Sequence, residues 1–86
     1  MIPIIRPGLT SKNFEISDQD QNNASYYYYG YLTPDGIWAI QRADNTGTNV
    51  VLYRYATVNN NAYAKYSDAW TNRATLTYDY FNVANL

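Results

Sequence analysis

Residues 25–33, SYYYYGYLT, constrain the fold more than any other stretch. Five tyrosines in six positions favour an extended strand, and Thr33, Pro34, Asp35 and Gly36 follow in the order of a four-residue reversal with glycine last. Strand geometry sends successive side chains to opposite faces. Tyr27, Tyr29 and Tyr31 therefore share one face, and Tyr26, Tyr28, Gly30 and Leu32 share the other. Both faces of this strand are aromatic. A single sheet left bare on either side would expose an apolar patch of the kind that marks an interaction site.

The next segments extend the strand into a meander. IWAIQRA, residues 37–43, pairs back on the Tyr strand. DNTGTN then supplies Asn, Asp and Gly for a second reversal into VVLYRYA, residues 50–56. TVNNNAYAKYSDAW breaks the strand rhythm. Ser67 as a capping hydroxyl, Asp68 in the first turn and Arg73 near the end predict a short helix over DAWTNRA. TLTYDYF, residues 75–81, alternates Leu76, Tyr78 and Tyr80 against Thr75, Thr77, Asp79 and Phe81, which predicts a fourth strand.

Ahead of all this, residues 1–24 carry Pro3, Pro7, Gly8 and the polar run SDQDQNN, and only NFEIS alternates like a short strand. The expectation is an extended N-terminal arm over 1–24 and a small β domain over 25–86. The fold class is mainly β: a small antiparallel meander of about four strands, with one short helix before the last strand. Trp38 and Trp70 are the expected core anchors.

Length and charge narrow the function. A chain of 86 residues makes one domain, and at this size folding buries only about 60–65% of the unfolded surface. It has no cysteine, which excludes disulfides and thiolate metal sites and leaves association with other chains as the usual reinforcement. Six Lys plus Arg against seven Asp plus Glu give no basic face for nucleic acid. The longest apolar run is far short of the ~20 residues that span a bilayer, so no membrane partner is expected. MIPIIRPGL lacks the pattern of a signal peptide, so the chain is expected to be soluble and unprocessed. Eleven Tyr and eleven Asn with 15% charged residues suit contact surfaces that bond without desolvating much charge.

Chemistry-bearing patterns are few. Asp18, Asp20 and Asn22 have the alternate spacing that begins a calcium loop, but Asn23 stands where glycine is needed and Tyr29 where the bidentate Glu is needed. The chain has no His or Cys and a single Glu, so no nucleophile, base and orienting group converge, and neither enzymatic activity nor a cofactor is expected. Arg42 and Arg54 within strands, and Arg73 at the helix end, are expected to lie over aromatic rings, with an intersubunit salt bridge as the alternative for the first two. Exposed Tyr and Trp beside Asn, Asp and Gln also suit a glycan site.

YYYYGY, GIWAIQRAD and above all YSDAWTNRATLTYDYF, within residues 26–81, resemble segments of small virion proteins of tailed bacteriophages, and of the ends of their tail-fibre or head-associated proteins. The resemblance implies a non-enzymatic structural part located in the virion, a tail, fibre-attachment or adaptor component. Its implied partners are other virion proteins and further copies of itself in a homo-oligomer. From the residues themselves, the arm could add to a neighbour's sheet edge and bury Ile2, Ile4, Ile5 and Leu9, while Tyr27, Tyr29 and Tyr31 form the second expected interface. The alternative is a receptor- or glycan-binding module of the same kind of particle.

Overall fold

The computed structural model describes residues 14–84. Four strands form one antiparallel sheet in the order β1-β2-β3-β4: β1 Glu15–Asp20, β2 Tyr26–Leu32, β3 Trp38–Gly47 and β4 Val50–Thr57. A helix, α1, spans Tyr66–Thr71, a single 3-10 turn spans Arg73–Thr75, and one helical turn, α2, spans Phe81–Ala84. The mainly β meander expected from the sequence is the architecture seen.

Local chemistry sets each reversal. Between β1 and β2, Asp20 and Asn23 side chains accept the backbone N–H groups two residues on, at 3.0 and 2.8 Å, so polar side chains build the bend. Between β2 and β3, the Gly36 N–H reaches Thr33 O at 3.0 Å, and Gly36 takes a φ of 89° that a side chain would oppose. Between β3 and β4, Asn49 takes the positive φ, 58°, which Asn tolerates.

The fourth strand differs from the expectation. It is β1, drawn from the second half of the segment read as an arm, and TLTYDYF is not a strand. Thr75 closes the 3-10 turn, Phe81 opens α2, and between them only Asp79 bridges to the sheet, exchanging backbone hydrogen bonds with Tyr55 at 2.8 and 3.0 Å. The alternation was real in another sense. Leu76 and Tyr78 both turn toward the sheet, but backbone pairing of the segment with β4 is confined to the one bridge at Asp79.

Its backbone is held there by side chains. Asn61 accepts the Thr77 N–H at 2.7 Å and donates to Thr77 O at 3.0 Å, reproducing a two-bond strand pairing with one amide. Asn60 likewise accepts the Thr57 N–H at 2.8 Å. Helix α1 also starts differently from the expectation: Lys65 holds the N-cap position without a side-chain bond, and Ser67 lies inside the helix.

The sheet has a core on each side. On the first face, Tyr28, Trp38, Ile40 and Ala56 pack under Ala69 of α1, flanked by the half-buried Tyr66, Trp70, Leu76 and Tyr78. Trp38 is fully buried, and its indole N–H donates to Tyr63 O at 3.1 Å. On the second face, Tyr31, Ala39 and Tyr55 pack against Phe14 from one end of the chain and Ala84 from the other. Each layer is thin.

Candidate interaction surface

The tyrosine strand organises the first face around one missing side chain. Gly30 lies opposite Asp18 on β1 and Ile40 on β3. A Cβ there would overlap the Tyr66 hydroxyl and stand 2.8 Å from its Cζ and 3.0 Å from Trp70 Cε3. The notch lets Tyr66 cross β2 and donate its hydroxyl proton to Asp18 Oδ2 at 2.7 Å. Burial, and then the Asp18 carboxylate, push the Tyr66 phenol well above its ordinary value.

One step along, Arg73 donates from Nε and Nη2 to Asp20 Oδ2 at 3.1 and 2.8 Å and from Nη1 to Trp70 O at 2.8 Å. Its guanidinium carbon lies 4.5 Å from the centre of the Trp70 ring. The Asn22 N–H, and then Arg73, hold the Asp20 carboxyl below its ordinary range. Both acids of the suggested calcium pattern are thus engaged with the C-terminal segment. No group of three or more metal-ligating side chains forms among the described residues.

Arginine–tyrosine stacking continues toward the far edge. Arg42 lies 4.6 Å from the Tyr78 ring centre and 5.3 Å from that of Tyr26, and Arg54 lies 4.3 Å from that of Tyr80. These contacts match the ring-covering role expected of them. Arg42 and Arg54 are also direct partners across β3 and β4, and like charges so placed repel. Among the described residues neither forms an ion pair, and Arg42 Nε is buried without a hydrogen-bond partner. Asp44 stands on the same face, but its Oδ1 is occupied by the Thr46 N–H and hydroxyl at 3.0 and 2.6 Å.

Apolar exposure gathers on β4, an edge strand. Val50, Val51, Leu52 and Tyr53 are 43–52% exposed in succession. Tyr55 turns its backbone outward to Asp79, so alternation along the strand turns the backbone of Tyr53 and Val51 outward as well. Asp79 covers the edge at Tyr55 and Asn60 covers it at Thr57. Arg54 reaches Tyr53 O at 2.9 Å, and no main-chain partner lies beside Val51 or Tyr53 among the described residues. An edge of this kind can accept a further strand.

The residues expected at an interface fare differently. Ile2, Ile4, Ile5 and Leu9 lie outside the described residues. Tyr31 is only 2% exposed, so it belongs to the core and is corrected as a contact residue. Tyr29 packs on that core and its hydroxyl accepts from Gln21 at 3.0 Å. Tyr27 is half-buried. Trp70 is half-buried at the core margin, against Tyr66 and Arg73.

The β4 edge was missed because the strand expected over 75–81 would have covered it. The run VVLY, four uncharged strand formers without alternation, is the signal that could have marked it. Compared with protein-family models, with curated proteins and with solved structures, the chain finds no match in any of the three.

Proposed function

We propose that this chain is a non-enzymatic structural component of a tailed-bacteriophage virion, of tail, fibre-attachment or adaptor type, which joins its neighbours by protein–protein contacts. One observation carries the contact role: a domain that covers much of both faces of its own tyrosine strand leaves four successive apolar residues, Val50 to Tyr53, open on a sheet edge. Open, uncharged edges are usually blunted in free-standing domains, because they template association. The place in a virion comes from the resemblance over residues 26–81, and the apolar side chains at 2, 4, 5 and 9 offer a second attachment.

The test is incorporation. Particles assembled with the Val51→Pro chain, or with a chain lacking residues 1–9, should contain much less of the protein by quantitative mass spectrometry of purified virions. Full incorporation of both variants would defeat the proposal. Full incorporation with loss of host attachment would instead favour a receptor- or glycan-binding module.

A further inference from the structure

We infer that the open edge of β4 is the docking site for an extended, carboxylate-bearing segment of a different protein, added as a fifth strand beside Val50–Tyr53. The inference rests on the contact role proposed above and names the partner's chemistry. Both outward backbone groups of Val51 and the outward N–H of Tyr53 supply the main-chain pairing, while Tyr53 O already accepts from Arg54 Nη1 at 2.9 Å. Apolar side chains on both faces of the edge supply the burial, since Val50 and Leu52 point to one side and Val51 and Tyr53 to the other.

Charge selects the acid. Arg42 and Arg54 stand directly opposite each other with no ion-pair partner among the described residues, and they end the open stretch on the Leu52 side of the sheet. A residue laid opposite Leu52 is the diagonal neighbour of Arg54, about 7–8 Å between backbones, which a Glu side chain can span. Asp44 neighbours Leu52 on the inner side, where Thr46 holds its carboxylate.

The same geometry disfavours the two occupants this chain could provide. The Asp79–Tyr55 bridge sets Tyr80 opposite Arg54, as their stacking at 4.3 Å reflects. A second copy paired two-fold about Leu52, the register that uses both outward-facing residues, would bring its Val50 to the place Tyr80 occupies. It would also bring no carboxylate to the arginines. The segment before Phe14 carries Arg6 and Lys12 and no acid, the wrong sign for this edge.

The experiment follows backbone amide resonances of the full-length chain while a blocked five-residue peptide is added, alternating Thr and Val with Glu at its second position, so that a strand with Glu opposite Leu52 stops short of the place Tyr80 holds opposite Arg54. Shifts should concentrate at Val50–Arg54. The same peptide with Lys in place of Glu should bind about three- to tenfold more weakly, as expected when one exposed ion pair is exchanged for a like-charge pair. Val51→Pro removes an outward N–H that β3 does not use, so the sheet should persist while the shifts vanish. Arg54→Gln should level the two peptides.

Shifts absent from β4, or equal binding of the Glu and Lys peptides, would overturn the inference. So would dimerisation of the chain alone, by sedimentation equilibrium, if Val51→Pro abolished it. That last result would leave the wider contact role standing, whereas full virion incorporation of both assembly variants would remove the wider role.

Discussion

Replacing Gly30 with alanine should destabilise the domain, although alanine is the better residue for a strand by about 0.5–1 kcal/mol. Gly30 has no positive φ to preserve, so its requirement is for space. The added methyl would meet the Tyr66 hydroxyl, Tyr66 Cζ at 2.8 Å and Trp70 Cε3 at 3.0 Å. The tyrosine must swing away and give up its 2.7 Å bond to Asp18. Overpacking of this kind costs about 1–3 kcal/mol, and an exposed bond to a carboxylate adds about 1 kcal/mol. Less the strand gain, the net loss is about 1–3 kcal/mol. For a domain this small that lowers Tm by at least about 4 °C. Urea unfolding followed by Trp fluorescence, with an unchanged m value, would measure it. The decisive comparison repeats the substitution in a Tyr66→Ala background, where the cost should fall to near zero. An equal cost in both backgrounds, or a more stable Gly30→Ala protein, would refute the notch.

Other consequences follow from the same contacts. Asn61→Ala removes the two shorter of the three bonds that hold Thr77, leaving Asn60 Nδ2 to Thr77 O at 3.5 Å, and should cost about 1–3 kcal/mol in urea unfolding; a neutral result would mean the crossing segment is held otherwise. Asp20 has a lowered carboxyl pKa, so its stabilisation is present at neutral pH and is lost as the pH falls through and below the ordinary carboxylate range. Unfolding midpoints of Asp20→Asn should therefore decline less on acidification than those of the parent. Tyr31 has the opposite sign: burial pushes its phenol from 10.0 to about 12, so stability is full below pH 10.0 and falls as the pH rises toward about 12. Tyr31→Phe should flatten that alkaline decline in thermal unfolding, and an unchanged slope would show that Tyr31 titrates freely.

Much of the sheet was legible because its signals are local. Strand-favouring residues with turn residues between them place β2, β3 and β4 within a few residues of their observed bounds. The remaining strand was harder. NFEIS alternates and marks its start, but EISDQD has five exposed residues out of six, so burial writes no alternation into the rest, which pairs along the free edge of β2. TLTYDYF shows the converse. Its period-two pattern records that Leu76 and Tyr78 turn to the sheet, a property of any extended chain crossing an apolar face. Whether such a segment joins a ladder depends on where its backbone groups find partners. Here they are supplied partly by Asn60 and Asn61, which in the sequence lie in the segment that breaks the strand rhythm.

The candidate surface was displaced by that single misplacement. With a strand at 75–81 laid along β4, the Tyr-rich strand is the natural place to look for spare aromatic surface. With that segment folded over the sheet, the tyrosines find partners within the chain. Tyr28 meets Tyr78 with ring centres 6.0 Å apart, and Tyr31 meets Phe14, Ala39, Tyr55 and Ala84 in the second core. The aromatic strand is double-sided because each core is only one layer deep, and large rings fill such a layer with few residues. Using the C-terminal segment as that layer leaves, among the described residues, Asp79 and Asn60 to guard only the Tyr55–Thr57 end of the β4 edge, so the cover over the tyrosines and the opening at Val50–Tyr53 have a common cause. A substitution that frees residues 76–80 from the sheet face, such as Asn61→Ala, should therefore change both together, exposing Tyr78 and altering access to β4. Hydrogen exchange of the Tyr53 and Tyr55 amides, measured with tyrosine accessibility in that variant, would separate this coupled arrangement from two independent surfaces.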